Sequence, residues 1–376
     1  MQVPVHLSNV MIFKTIKQFI LKFLAGANLV TILLMMAAGF SGRLSPIDHP
    51  MLTQANFVFP LFILINGGFL LLWVLIKPRW VFIPVIGFLV NFVPVHSYCP
   101  VNLPKKAPEG SIKVMSYNVE GFVHSRMTDD EGRSIIPNYI LAEDADIVCL
   151  QEGYSNIPTN KILDKLLNPV YAYRDSSNAG KNGNPLLIYS KYPIVRKEHL
   201  DNVVGGNHSA AFFLDIGGDT VIVINNHLKS LQLTQEDRTG FQSLVEGNVS
   251  DGDSVRRESH KLFDKLRAAS ILRAPQAECV ARYISDHAGQ SIIVCGDFND
   301  GPLSYTNHII GENLTDCYVA AGNGPGFSFH ENGMLVRIDN ILCSKDWTPF
   351  EAKVDRKMDI SDHYPVQCKL KKGLKP

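Results

Sequence analysis

The chain has 376 residues, room for one large domain or two ordinary ones with ample core. Its formal charge of zero hides an asymmetry: six Lys/Arg and one acid, Asp48, precede Leu103, leaving 30 basic and 35 acidic residues beyond it. That mildly acidic body gives no electrostatic support for tight nonspecific binding to nucleic acid, and seven cysteines with no CxxC pair argue against a zinc knuckle or a disulfide scaffold.

Three apolar stretches open the sequence: Phe23–Phe40, Asn56–Ile76 and Trp80–Tyr98. Each is about as long as the roughly 20 residues that cross a bilayer. The third is the weakest, interrupted by Pro84, Asn91 and Pro94. A cleaved signal peptide would account for the first stretch alone, not for two more. Lys14, Lys17 and Lys22 before the first stretch, and Lys77 and Arg79 between the second and third, place both segments in the cytoplasm. Three crossings then put everything after Tyr98 outside, although Lys105 and Lys106 pull the other way. The expected organisation is a membrane region over 1–98, a Pro-rich linker over 99–110 and a body over 111–376.

In the body the pattern changes to short apolar runs. IKVMSYN, ADIVCLQE, NPLLIYS, SAAFFLDI, TVIVINN, SIIVCGDF, RIDNILC and YPVQCKL read as strands, several continuous enough to be buried on both faces. Helical patterns intervene at Ile135–Glu143, Lys161–Leu167 and Arg256–His287, the last with an expected break at Pro275. Leu231–Asp253 reads as a polar loop, and no internal repeat is visible.

Polar residues recur where the apolar runs stop: Asn118, Gln151–Glu152, Asn226–His227, Asp297 and Asn299, Asp339, and Asp362–His363. Any one of them reads as readily as a turn, a cap or a satisfied histidine. Together, at the ends of neighbouring buried strands, they would crowd carboxylates on one rim, which is costly without cations. Glu152 and Asp362, with Asn118 nearby, are hard oxygen ligands suited to Mg²⁺ or Mn²⁺, whereas zinc would recruit more His or Cys and no HExxH occurs. Such an ion binds phosphate oxygens. His363, oriented by Asp339, could take a proton from water, and Asn299 and His227 could donate hydrogen bonds to phosphoryl oxygens.

The stretches VMSYNVEGF, DIVCLQE, LLIYSKYPI, NNHLKS, GDFND, RIDNILCS and SDHYPV, in this order, resemble the endonuclease/exonuclease/phosphatase superfamily, whose fold is DNase I-like. The resemblance covers Ile112–Leu370 and implies an α/β protein, a four-layered sandwich of two packed β-sheets flanked by helices. It implies that Asn118 and Glu152 belong to the metal site, with Asp362 beside it. By the same resemblance Asp297 positions or activates water, Asn299 contacts phosphate, and Asp339 pairs with His363. For Asp297 the spacing alone also permits a metal ligand.

The expected activity is Mg²⁺- or Mn²⁺-dependent hydrolysis of phosphate esters, with a His–Asp pair as base. The tether favours phosphodiesters of lipid head groups. The alternatives are an extracytoplasmic nuclease and a catalytically silent, membrane-anchored binding module. No protein partner is inferable.

Overall fold

The computed structural model describes residues 5–122, 135–153, 163, 165–180, 183–231, 234–245, 252–331 and 333–373. They divide into two compact units. One comprises residues 1–41 and 55–96; the other comprises 42–54 and 97–376.

The first unit is helical: α1 (Val5–Phe40), α2 (Phe59–Ile76), α3 (Phe82–Val90) and α4 (Phe92–Tyr98), whose last two residues are assigned to the second unit. Residues Ile12–Arg43 and Thr53–Ile76 are long and apolar enough to cross a membrane, and Pro78–Val90 with Phe92–Tyr98 forms a bent pair that would be a third span. The 68° bend falls at Asn91. Asn91 caps α3 by donating its side-chain amide to the Gly87 carbonyl (2.9 Å), and Pro94 withholds an N–H from the turn that follows. Pro84 does not break α3, because a proline in a first helical turn loses no helical hydrogen bond.

Outward-facing residues such as Phe19, Leu33, Leu64, Leu75 and Leu89 are apolar and exposed, as lipid-facing helices require. Polar atoms are turned inward. Asn28 donates to Asn66 Oδ1 (3.0 Å) and accepts from the Trp73 indole N–H (3.1 Å), and Thr31 donates to Asn66 Oδ1 (3.1 Å).

Among the described residues of the second unit the twelve strands are β1 (Ile112–Asn118), β2 (Ile147–Gln151), β3 (Tyr173–Ser177), β4 (Leu186–Ser190), β5 (Ile194–His199), β6 (His208–Ile216), β7 (Asp219–His227), β8 (Ser291–Asp297), β9 (Thr315–Asp316), β10 (Asp339–Cys343), β11 (Trp347–Val354) and β12 (Val366–Lys372). They form two six-stranded sheets, ordered β11-β12-β1-β2-β4-β3 and β5-β6-β7-β8-β10-β9. At the centre of each sheet is one parallel pair, β1 with β2 and β7 with β8, flanked by antiparallel neighbours. The sequence shows no repeat, yet the pairing pattern repeats.

Burial follows period two. Ile112, Val114, Ile147, Cys149, Val221, Val223, Ile293, Cys295, Ile341 and Cys343 meet between the sheets. The alternate residues Met115, Tyr117, Val148 and Leu150 pack on α5 (Ile135–Glu143). Those of the second sheet pack on the helices that follow β7 and β8. The result is the four-layered sandwich expected from the sequence.

The eight strands read from the sequence are the eight interior ones. The four it misses, β3, β5, β9 and β11, are the four sheet edges, whose partly exposed runs carry charged residues and no continuous apolar stretch.

Two further expectations are corrected. Leu231–Asp253 is not all loop, since α6 (Gln235–Val245) lies within it and α7 (Gly252–Asp286) begins before its end. Nor does α7 break at Pro275. Ala274, Ala277 and Val280 are buried on the sheet, while Arg273 and Gln276 bond the backbone of Lys229. These anchors on both sides offset the roughly 3 kcal/mol that an interior proline costs. The expected helix at Lys161–Leu167 lies partly outside the described residues.

Replacing Asn28 with Ala strands the Trp73 N–H. It should destabilise the helical unit by about 1 kcal/mol, read as an earlier unfolding transition on titrating detergent-solubilised protein with SDS.

Candidate active site

The inner faces of the sheets share one gradient. On β1 the inward residues run Ile112, Val114, Ser116, Asn118. On β7 they run Val221, Val223, Asn225, His227, and on β8 Ile293, Cys295, Asp297. Parity therefore continues the apolar core into a polar end. The ladders align those ends, opposing Asn118 to Gln151, His227 to Asp297, and Asp297 to Asp339.

A polar floor comes first. Gln151 donates to Asn225 Oδ1 (2.7 Å) and Ser116 Oγ (3.2 Å), and Asn225 donates across the sheets to the Leu150 and Leu187 carbonyls (3.2 and 3.1 Å). Asn226, singled out in the sequence, instead occupies the opposite face and donates to the Cys295 carbonyl (2.9 Å). Counting alternation back from Val221 and Val223 would have identified Asn225.

Above the floor all eight expected residues meet. Asn118 Nδ2 donates to Asp297 Oδ2 (3.1 Å) and Glu152 Oε1 (3.4 Å). His227 Nε2 stands 3.5 Å from Glu152 Oε1 and 3.7 Å from Asp297 Oδ2. His363 Nδ1 bonds Asp339 Oδ2 at 2.7 Å, while its Nε2 lies 3.8 Å from Asp297 Oδ2 and 3.9 Å from Asp362 Oδ1. Asn299 donates its backbone N–H and its side-chain amide to Asp297 (2.8 and 2.9 Å).

Several supports were not foreseen. Glu120 accepts the Asp362 N–H (3.3 Å). Ser361 donates to the Asn118 carbonyl (2.7 Å) and accepts the His363 N–H (3.2 Å). Ser328 Oγ accepts the Ile338 and Asp339 N–H groups (both 3.0 Å), and Phe329 packs edge-on against His363. Ser361 lies inside a conspicuous motif; nothing local marks Ser328 or Phe329. Three residues on this rim, Glu120, Glu152 and Asn299, have φ between 46° and 55°, a left-handed conformation that non-glycine residues keep only where the surroundings impose it.

Charge is distributed unevenly. Burial pushes the Asp297 carboxyl up to about 7 against the pull of His363, with Asp339 adding to the rise. Burial and the neighbouring His363 push His227 down to about 3, so it is neutral near pH 7. For His363 burial acts downward too, but Asp339 and Asp297 outweigh it and hold the imidazole well above its ordinary range.

The donor set fits a hard divalent cation. Glu152, Asp297 and Asp362 supply carboxylate oxygens, and Asp339 Oδ1 is buried with no hydrogen-bond partner. Asp297, Asp339 and His363 also offer ligand atoms within 4.8 Å of one another. An ion among those three would compete with the 2.7 Å Asp339–His363 bond, and Glu152 and Asp362 are the other carboxylates of the rim. Asn118 would join only after its amide turns, since its Oδ1 now accepts the Glu120 N–H (3.1 Å).

Because Asp297 binds its proton more tightly folded than unfolded, its contribution to stability without an ion is lost as pH rises from 3.8 through about 7. In chelator, the melting temperature of Asp297→Asn relative to the unmodified protein should therefore rise between pH 5 and pH 8. Added Mg²⁺ should raise the melting temperature of the unmodified protein much more than that of Glu152→Gln.

Residues 115–363 match the model of the Endonuclease/Exonuclease/phosphatase family, and residues 21–98 match a model described as a domain of unknown function (DUF8431). Among curated proteins none is significantly similar. Among solved structures, ANGEL2, a 2′,3′-cyclic phosphatase in complex with adenosine-2′,3′-vanadate, aligns with TM-score 0.50 and 14% identity over 73% of this chain and 100% of its own. D. rerio TDP2 complexed with a single-strand DNA product gives 0.48 and 14%, covering 70% and 100%. A family protein from Bacteroides thetaiotaomicron gives 0.47 and 17%, covering 70% and 98%. With two-thirds of its length matched by the family model, and with that fold, the chain belongs to the endonuclease/exonuclease/phosphatase family.

Proposed function

We propose that the protein is a divalent-metal-dependent phosphodiesterase acting on phosphate esters presented at a bilayer surface. One observation carries the reading: Glu152, Asp297, Asp339, His363, His227 and Asn118 converge on one rim within hydrogen-bonding or ion-pairing reach of each other. Mg²⁺ or Mn²⁺ held by Glu152 and Asp362, with Asn118, would neutralise the phosphate's charge.

The chain's own groups divide the remaining work. Asp297, with its carboxyl near 7, is placed to take the proton of the attacking water, because a base works best when its pKa lies close to the operating pH. His363 is cationic while it keeps its Asp339 bond, so we assign it to hydrogen-bond the phosphoryl oxygens as their charge grows. This moves the base from His363, where the sequence reading placed it, to Asp297, which the resemblance already had positioning or activating the water. Asn299, and His227 through its single N–H, complete the phosphoryl contacts.

The apolar helices support a substrate that resides in or at a membrane, and the acidic body supports head groups over polyanions. His363→Ala and Asp297→Ala should each lower turnover of a generic phosphodiester in Mg²⁺ by about a thousandfold without unfolding the protein, and chelator should abolish it reversibly. Release of phosphorylated head groups from vesicles should exceed cleavage of single- or double-stranded DNA. Cleavage of DNA alone would refute the lipid substrate, and unchanged rates in both variants would refute the site.

A further inference from the structure

The connection between the first two apolar helices does not belong with them. Residues 42–54 group with the body. Gly42 lies against the backbone of Leu303 and Ser304 so closely that a Cβ there would collide with it. Gln54 is buried and donates to Ser270 Oγ on α7 (3.3 Å). Between these ends Asp48 contributes to the field around Tyr305, and Arg43 to that around His308. The flank so covered runs directly into the catalytic rim. Arg273, near Ser270 Oγ, bonds the Lys229 carbonyl (2.7 Å) and Asp300 Oδ2 (3.3 Å), next to Asn299.

The same segment turns apolar side chains outward. Leu44 is 36% exposed, Ile47 51%, Met51 57% and Leu52 58%. Four such residues in a short connection between two candidate spans are otherwise out of place on a protein surface. At the junction of hydrocarbon and head groups they are at home.

We infer that residues 42–54 form an interfacial foot: a bilayer-contacting surface that joins the body beside its catalytic rim and fixes the membrane topology. Topology follows from parity. A connection that enters from one span and leaves by the next emerges on one membrane face. If the bent pair Pro78–Tyr98 only dipped into the bilayer, the body would emerge on the opposite face, about 30 Å of hydrocarbon away. Gly42 and Gln54 could not then touch Leu303 and Ser270. The bent pair is therefore a full crossing. By helical rise its two arms reach about 25 Å end to end, a shortfall that modest local thinning accommodates. The body then lies on the membrane face that bears the foot, and esters in that leaflet are the ones it meets.

The test uses the full-length chain in sealed vesicles, with Cys99 and Cys279, the two cysteines that are not buried, changed to Ser. Asp48→Cys, Arg79→Cys and Asp286→Cys are introduced singly and treated with a membrane-impermeant maleimide. Positions 48 and 286 should react from one side and 79 from the other; reaction of 48 and 286 from opposite sides overturns the inference. Independently, Gln54→Cys with Ser270→Cys should cross-link on oxidation with diamide, and no cross-link in a folded chain counts against the docking. An environment-sensitive dye on Ile47→Cys should report an apolar, lipid-quenchable setting; one reporting bulk water removes the foot. None of these readouts needs turnover, so they stand apart from the proposed activity.

Discussion

Two aspartates at the rim, Asp297 and Asp339, are almost entirely withdrawn from water. Isolated, each would cost several kcal/mol, and the surroundings are arranged to offset that cost. Asn118 reaches from one sheet to donate to Asp297 in the other, Asn299 donates twice more, and His363 is fixed by Asp339. What remains uncompensated is Asp339 Oδ1, buried without a hydrogen-bond partner, and the raised Asp297 carboxyl. The left-handed backbone at Glu120, Glu152 and Asn299 has the same origin. Side chains at strand ends are turned back over the rim, and the core beneath supplies the stability to hold them.

That core places the rim by topology. Each sheet has one parallel pair at its centre, so β1, β2, β7 and β8 all finish at the same edge of the sandwich. β10 begins there because it runs antiparallel to β8, and the turn before β12 returns to it. The cross-sheet bond between Gln151 and Asn225 ties the floor together below the reactive groups. A slip of one residue in any of these strands would exchange inward and outward side chains and remove its contribution.

The linker after the helices is also laid against the body. Asn102 bonds Asn323 and the Val319 and Gly322 carbonyls, and Gly324 donates to the Pro100 carbonyl. The buried Arg337, two residues before Asp339, bonds the Ser97 and Pro325 carbonyls and lies over the Tyr318 ring. Residues 42–54 and the residues from 97 onward therefore both pack with the body, at two separate stretches of the chain.

Much of this was legible in the sequence alone. Interior strands announce themselves because burial on both faces demands apolar runs. The polar residue ending each run announces the rim, and the basic flanks and apolar lengths announce the helices. Edge strands were silent, because a half-exposed strand such as β5, with Arg196, Lys197 and Glu198 in sequence, satisfies its own charges in water. Tertiary structure alone decided that Asn225 rather than Asn226 lines the floor, that α7 continues through Pro275, and that Ser328 and Phe329 hold the Asp339–His363 pair. It also decided that residues 42–54 pack with the body. Each of these depends on a partner dozens to hundreds of residues away, and local pattern encodes which face a residue occupies but not what it meets there.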